Sequence, residues 1–305
     1  LCLSEAKGMD IKMKIAVSSY SFSQYLRDGR LTQITCVEKA KELGFDAIEF
    51  TDLTPPEGVG EEEYARQIRE KCEKVGLPVS NYTISADLLN HADGGKAEVE
   101  RLKKKVDVAA ILGTNCIRHD AAWGFLGEEN KRNGRGFRNV VGQLADCCRE
   151  VTEYAKERGI RTMVENHGQF AQEPDLVELL INTVNHPNFG WLCDMGNFLC
   201  ADVNPVEAVG KAAPYAFYVH AKDFIIKSGN EPDPGRGFFQ TRAANYLRGT
   251  IVGHGAVAVK QCLKILKNAG YDGFIGLEFE GIEDCMLGLS IGLENIRRYL
   301  SEIEA

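Results

Sequence analysis

GIRTMVENHG, Gly159 to Gly168, is an apolar, β-branched run that stops abruptly at Glu165, Asn166 and His167. Such a run reads as a strand buried on both faces, and a polar cluster at its carboxyl end is where parallel α/β sheets place their chemistry. The same grammar returns three times. Phe189 to Asp194 (FGWLCD) ends on Asp194, Ala216 to His220 (AFYVH) on His220, and Gly273 to Glu278 (GFIGLE) on Glu278. Three carboxylates and one imidazole at strand ends form a donor set able to share one divalent ion.

Outward from this stretch, short apolar runs alternate with amphipathic segments, the pattern of βα units around a parallel sheet. Eight strands are expected: 14–20, 45–50, 78–84, 115–120, 161–166, 189–194, 216–223 and 274–279. Helical patterns separate them, and five end in a glycine suited to a left-handed cap: Gly44, Gly76, Gly113, Gly159 and Gly270. KELGFDAIEF, EKVGLPVS, AILGTNCIR, KERGIRTMVE and KNAGYDGFIGLE all run helix, glycine, strand. Glu165 to Asp194 is 29 residues and Asp194 to His220 is 26, close to the roughly 31 per unit of an eight-fold barrel of about 250 residues. The expectation is a single-domain α/β fold, a (β/α)8 TIM barrel over residues 14–305, preceded by a loose leader over residues 1–13. Residues 225–255, rich in Gly and Pro and carrying Arg236, Arg242 and Arg248, are read as a loop insertion serving as a lid.

Composition narrows the function. The chain has 305 residues, 44% of them apolar and 26% charged, with a formal charge of −8. That balance argues against nucleic acid or an anionic membrane as partner, since either needs a basic face. No segment approaches the roughly 18 apolar residues of a membrane span, and the first dozen residues do not read as a secretory signal. Ten cysteines are scattered without a CxxC pair, the pattern of reduced, buried thiols in a cytoplasmic enzyme.

In a barrel of this kind every strand's carboxyl end faces one mouth, so Glu165, Asp194, His220 and Glu278 converge from adjacent staves. Their ligand chemistry suits Mn²⁺, Mg²⁺ or Co²⁺, with Zn²⁺ as a further alternative. The set carries more negative charge than one divalent ion neutralises, which calls for a raised carboxyl pKa or an added cation nearby. A metal chelated by a carbonyl and its neighbouring hydroxyl acidifies the C–H between them, and Glu165 and Glu278 are the acid/base pair for moving that proton. Taken singly, each residue has a plainer role: a solvated strand-end glutamate, a turn-capping Asp194, a core His220. Of the substrate-binding candidates two residues beyond a ligand, His167 is read as orienting a substrate hydroxyl or the groups behind the ligands, and Lys222 as stabilising an enediolate oxygen. Glu280 rivals Glu278, Trp123, His119 and Tyr20 are mouth candidates, and His254 has no assigned role.

At VENHG, CDMGN, YVHAKD and IGLEFEG the chain resembles the sugar phosphate isomerase/epimerase superfamily of xylose isomerase-like barrels, from Lys14 to about Leu300. The resemblance implies one divalent metal on Glu165, Asp194, His220 and Glu278, and isomerisation or epimerisation of a keto-sugar through an enediolate. Two positions depart from the family's ketose 3-epimerases: Asn197 replaces a histidine and Ile226 an arginine. Asn197 is kept as a substrate-binding residue. His254 replaces the usual acidic residue of its glycine-flanked motif.

The expected function is a metal-dependent isomerase or epimerase acting on a small carbohydrate. A dehydratase of a keto-cyclitol or keto-glycoside would use the same site. An endonuclease IV-like metallo-hydrolase would need more than six histidines and a basic groove. A purely sugar-binding barrel would not need two glutamates. A homo-oligomer is compatible with the sequence.

Overall fold

In the computed structural model, which describes residues 13–127 and 134–304, the repeated helix, glycine, strand phrase is a physical joint. The backbone at Gly44, Gly76, Gly113, Gly159 and Gly270 has φ between 68° and 95°, a left-handed region where a side chain would be strained. Each glycine turns the chain from a helix on the outside into a strand on the inside. The expected leader lies, apart from Met13, outside the described residues; Met13 itself is buried in the core.

Seven strands alternate with helices along the first part of the chain: β1 Lys14–Ser18, β2 Ala47–Thr51, β3 Val79–Ile84, β4 Cys116–His119, β5 Arg161–Glu165, β6 Phe189–Asp194 and β7 Ala216–Ala221. Three further strands, β8 Asp223–Lys227, β9 Phe239–Gln240 and β10 Tyr246–Thr250, precede β11 Phe274–Leu277. β1 to β7 and β11 close a parallel barrel in the order β1, β11, β7, β6, β5, β4, β3, β2. The (β/α)8 architecture expected from the sequence is therefore present. Inside the barrel, Ala16, Ala47, Cys116, Met163, Leu192 and Tyr218 form a small apolar floor. The larger core lies outside, between the strands and the helices.

Two expectations change in detail. The run 216–223 is not one strand: the barrel strand ends at Ala221 and β8 begins at Asp223, leaving Lys222 at the joint. The insertion is not an irregular loop either, because β8, β10 and β9 form an antiparallel three-stranded sheet. Arg242 fastens this sheet to the segment after β5, with Nη1 at 2.5 Å from Glu173 Oε1, Nη2 at 3.0 Å from Gln172 Oε1, and a further bond to the Gln169 carbonyl. Asp202 accepts from Thr241 Oγ1 at 2.7 Å and from the Ala243 N–H at 2.8 Å. The returning chain wraps the Asp223 carboxylate, which accepts from Gly253, Gly255 and Val257 N–H groups at 2.9, 2.8 and 3.0 Å. His254 is exposed in this turn.

Asn166 shows why the opening stretch matters to the fold. Its Nδ2 donates to the Asp194 carbonyl at 2.7 Å, and its Oδ1 accepts from the Trp191 indole and the Asp194 N–H, both at 3.0 Å. It stitches β5 to β6 at the level of the site. Asn166→Ala strands these fully buried groups and should lower stability by about 3 kcal/mol, read as a fall in urea midpoint with unchanged slope.

Candidate metal centre

Strand register brings the four candidate ligands together. Asp194 and His220 are direct partners across β6 and β7. Gly276 faces His220 across β11 and β7, and a Cβ there would sit 2.9 Å from the imidazole Cδ2. The missing side chain makes room for His220. Glu278 follows two residues later, anchored by its N–H to the Ala221 carbonyl at 3.0 Å.

Each of Glu165, Asp194, His220 and Glu278 offers one ligand atom, and these lie within 4.8 Å of one another. Ligands about 2.1 Å from an ion stand roughly 4 Å apart across it, so the set needs little adjustment to share one. His220 Nδ1 is 3.8 Å from Glu165 Oε1, from Asp194 Oδ2 and from Glu278 Oε2. Its other nitrogen is committed: Nε2 lies 2.9 and 3.0 Å from the two oxygens of Glu49, whose Oε2 also accepts from Asn81 at 2.9 Å. A carboxylate at Nε2 fixes that nitrogen as the donor and leaves the Nδ1 lone pair facing the cluster.

Asp194 divides its roles in the same way. Oδ1 caps the following turn, accepting from Gly196 and Asn197 N–H groups at 2.7 and 2.9 Å. Oδ2, like His220 Nδ1, is buried without a hydrogen-bond partner among the described residues. Leaving such atoms without hydrogen bonds costs free energy; the Lys222 ammonium 3.3 Å from Oδ2 offsets part of it, and a shared cation would offset the rest. The donor set fits a divalent ion.

Two basic side chains supply the added positive charge that the sequence called for. Lys222 Nζ lies 2.5 Å from Glu278 Oε2 and 3.3 Å from Asp194 Oδ2. Arg118, buried on β4, places Nη2 at 2.7 Å from both Glu165 Oε2 and Asp120 Oδ1. Burial pushes the Glu165 carboxyl up, but Arg118, His220 and His167 together outweigh it and hold the group below the usual range. For Glu280, burial wins and its pKa is raised despite Lys222. Burial also works against a charged His167, yet its bond to Asp120, 3.0 Å from Nδ1, leaves the imidazole pKa raised.

Two of the four candidate ligands, Glu165 and Glu278, line a cavity of about 280 Å³ whose wall also includes Lys222, His167, Arg118 and Glu280. Over residues 37–299 the sequence matches the family described as xylose isomerase-like TIM barrel. The chain belongs to that family. No match was found among curated proteins. Among solved structures, a xylose isomerase-like TIM barrel protein from Mycobacterium smegmatis in complex with magnesium superposes with TM-score 0.72 at 19% identity, covering 96% of this chain and 98% of that one. L-ribulose 3-epimerase superposes at 0.71 and 18%, covering 96% of each chain. The probable 3-DHS dehydratase from Bacillus anthracis superposes at 0.66 and 17%, covering 93% and 99%.

Within this xylose isomerase-like barrel, the other expected residues are spread around the mouth. Asn197 bridges the base and the lysine: Nδ2 donates to Glu165 Oε1 at 2.9 Å and Oδ1 accepts from Lys222 at 3.3 Å. Glu280 stands outside the four-residue cluster, 3.9 Å from Lys222, with Tyr20 donating to it at 3.4 Å. Trp123 packs edge-on against His167, ring centroids 5.0 Å apart, and is half exposed. His119 is wholly buried and lines no cavity wall near the ligands. Ile226 faces a separate surface depression beside Leu199 and Val206. Of the arginines in the insertion, Arg242 pairs with Glu173 and Arg248 with Glu283.

Glu49, Arg118 and Asp120 were missed. Asp120 ends the run NCIRHD and obeys the same strand-end rule as Glu165. Glu49 and Arg118 lie inside apolar runs, where a lone charge is itself a signal. Glu49→Ala leaves His220 free to turn, and should weaken Mn²⁺ binding about 10- to 100-fold in a calorimetric titration that gives one ion per chain for the wild type.

Proposed function

We propose that this barrel is a divalent-metal-dependent isomerase or epimerase of a keto-sugar or sugar derivative. The observation that carries the reading is that Glu165 and Glu278 belong to the four-residue cluster and also line the small cavity above it. Similarity to L-ribulose 3-epimerase supports the same class of reaction. A divalent ion held by Glu165, Asp194, His220 and Glu278 supplies Lewis-acid polarisation of a carbonyl and its neighbouring hydroxyl.

The chain's own residues move the proton. Glu165, kept ionised by Arg118, is the base that removes it from the substrate carbon. Asn197 holds the other oxygen of the same carboxylate and fixes its direction. Glu278 returns a proton to the enediolate, drawing it from the Lys222 ammonium bonded to it, and Lys222 stabilises the negative charge that develops on oxygen before that transfer. His167, Trp123 and Glu280 orient substrate hydroxyls at the rim. The cytoplasmic location read from the cysteine pattern belongs to this proposal.

A dehydration is the second reading, favoured by one feature. His167, held towards its protonated form by Asp120, lines the cavity as an acid able to protonate a departing hydroxyl. A dehydratase is also among the similar structures. Product analysis separates the two, since only dehydration loses water.

Screening keto-sugars for solvent deuterium uptake with Mn²⁺ present should reveal exchange at one carbon. Glu165→Gln keeps an oxygen ligand but no base, so exchange should fall by about 10²- to 10⁴-fold while metal content is retained. Unchanged exchange with the metal bound would overturn the assignment of Glu165 as base.

A further inference from the structure

Beyond the reaction cavity lies a second, larger hollow of about 480 Å³. His167, Lys222 and Glu280 belong to the walls of both, so the two spaces adjoin. Its remaining wall comes from the segments after β4, β5 and β6 and from β9 of the accessory sheet, including Trp123, Gln169, Phe239 and Gln240. Arg242 pins that sheet to the opposite wall through Glu173 and Gln172.

The chemistry of this annex is specific. Trp123 is 50% exposed and Phe239 44% exposed, two aromatic faces bared at the rim of a polar cavity. The side-chain amides of Gln169 and Gln240 are exposed and make no hydrogen bond within the described residues. Aromatic faces beside free amides suit a sugar ring, whose C–H face packs on the aromatic while its hydroxyls bond to the amides. An anion is poorly served: Arg242 is spent on Glu173, Lys222 on Glu278 and Asp194, and Arg118 on Asp120 and Glu165. Asp52, Glu278 and Glu280 in the walls add negative charge.

We propose that the annex is a second sugar subsite, and that the substrate is an uncharged glycoside. Its keto-sugar unit occupies the inner cavity and its second ring lies against Trp123 and Phe239. This rests on the proposed reaction for the inner cavity, but its test does not depend on turnover. The inner cavity, at about 280 Å³, falls just below the roughly 300–1,000 Å³ of small-molecule sites. The annex supplies the space for a second unit.

The test is equilibrium binding to the Mn²⁺-loaded protein. Cellobiose, maltose, sucrose and trehalose would be titrated by calorimetry against glucose and glucose 6-phosphate. Trp191 is buried and Trp123 is not, which makes quenching of tryptophan emission an optical readout of the annex. At least one disaccharide should bind tenfold or more tightly than glucose and quench the emission, and glucose 6-phosphate should bind no better than glucose. Phe239→Ala and Gln240→Ala, both at exposed positions, should each weaken the disaccharide about fivefold and leave glucose unchanged. Equal affinity for one and two rings, equal effects of the variants on both, tighter binding of the phosphate, or no sugar binding at all would each overturn the subsite. Deuterium exchange on a free keto-sugar would persist in those cases if the reaction assignment is right, and would be absent if that assignment fails.

Discussion

The mouth of this barrel depends on balancing buried negative charge. Glu49, Asp120, Glu165, Asp194 and Glu278 are all no more than 8% exposed, and an unpaired carboxylate in such surroundings costs several kcal/mol. Each has a specific answer. Arg118 spans Asp120 and Glu165, Lys222 meets Glu278 and Asp194, and His220 joins Glu49 to Glu165, Asp194 and Glu278. The arrangement works only because the barrel is closed and its register exact to one residue. A slip of one position would turn each of these side chains to the opposite face of the sheet.

That dependence explains what could be read from the sequence. The strand ends Glu165, Asp194, His220 and Glu278 were legible because each terminates an apolar run, and the topology of a parallel barrel sends every such end to one place. The helix, glycine, strand phrase was legible because it is local, set by backbone conformation within a few residues. Glu49 was not. Its function is defined by His220, 171 positions away, and nothing near Glu49 in the chain announces that partner. Arg118 is similar: its value lies in the pairing of β4 with β5, a long-range fact. The accessory sheet was missed for a different reason. Glycine and proline mark turns well, but the short strands they separate here are too brief for alternation to show.

The break at Lys222 has consequences for the site. Had β7 run on to Asp223 as a barrel strand, Lys222 would have continued its alternation past the rim. The chain leaves the barrel at that point, and the lysine stays among the acids. Gly196 permits this, since a Cβ there would come within 2.7 Å of the Lys222 carbonyl. The turn after Asp194 is therefore shaped on both sides by the four-residue cluster and its lysine: Oδ1 of Asp194 caps it, and the missing side chain admits Lys222. A residue read first as a turn cap is a cap and a ligand candidate at once, because its two oxygens face different neighbours.

Asn197 completes the same economy of charge. It touches Glu165 with a donor and Lys222 with an acceptor, so it couples the carboxylate to the ammonium without adding charge of its own. A histidine at this position would bring a group whose protonation varies near neutrality. The amide is fixed in charge, and the field at Glu165 is left to the charged groups around it, Arg118 foremost with His220 and His167. With the basic groups of the mouth already paired to acids, the proposed substrate is one that presents hydroxyls and carbonyls rather than phosphate. The departure at Asn197 and the spent arginines of the accessory sheet point in one direction, to a pocket whose selectivity comes from hydrogen bonds and shape.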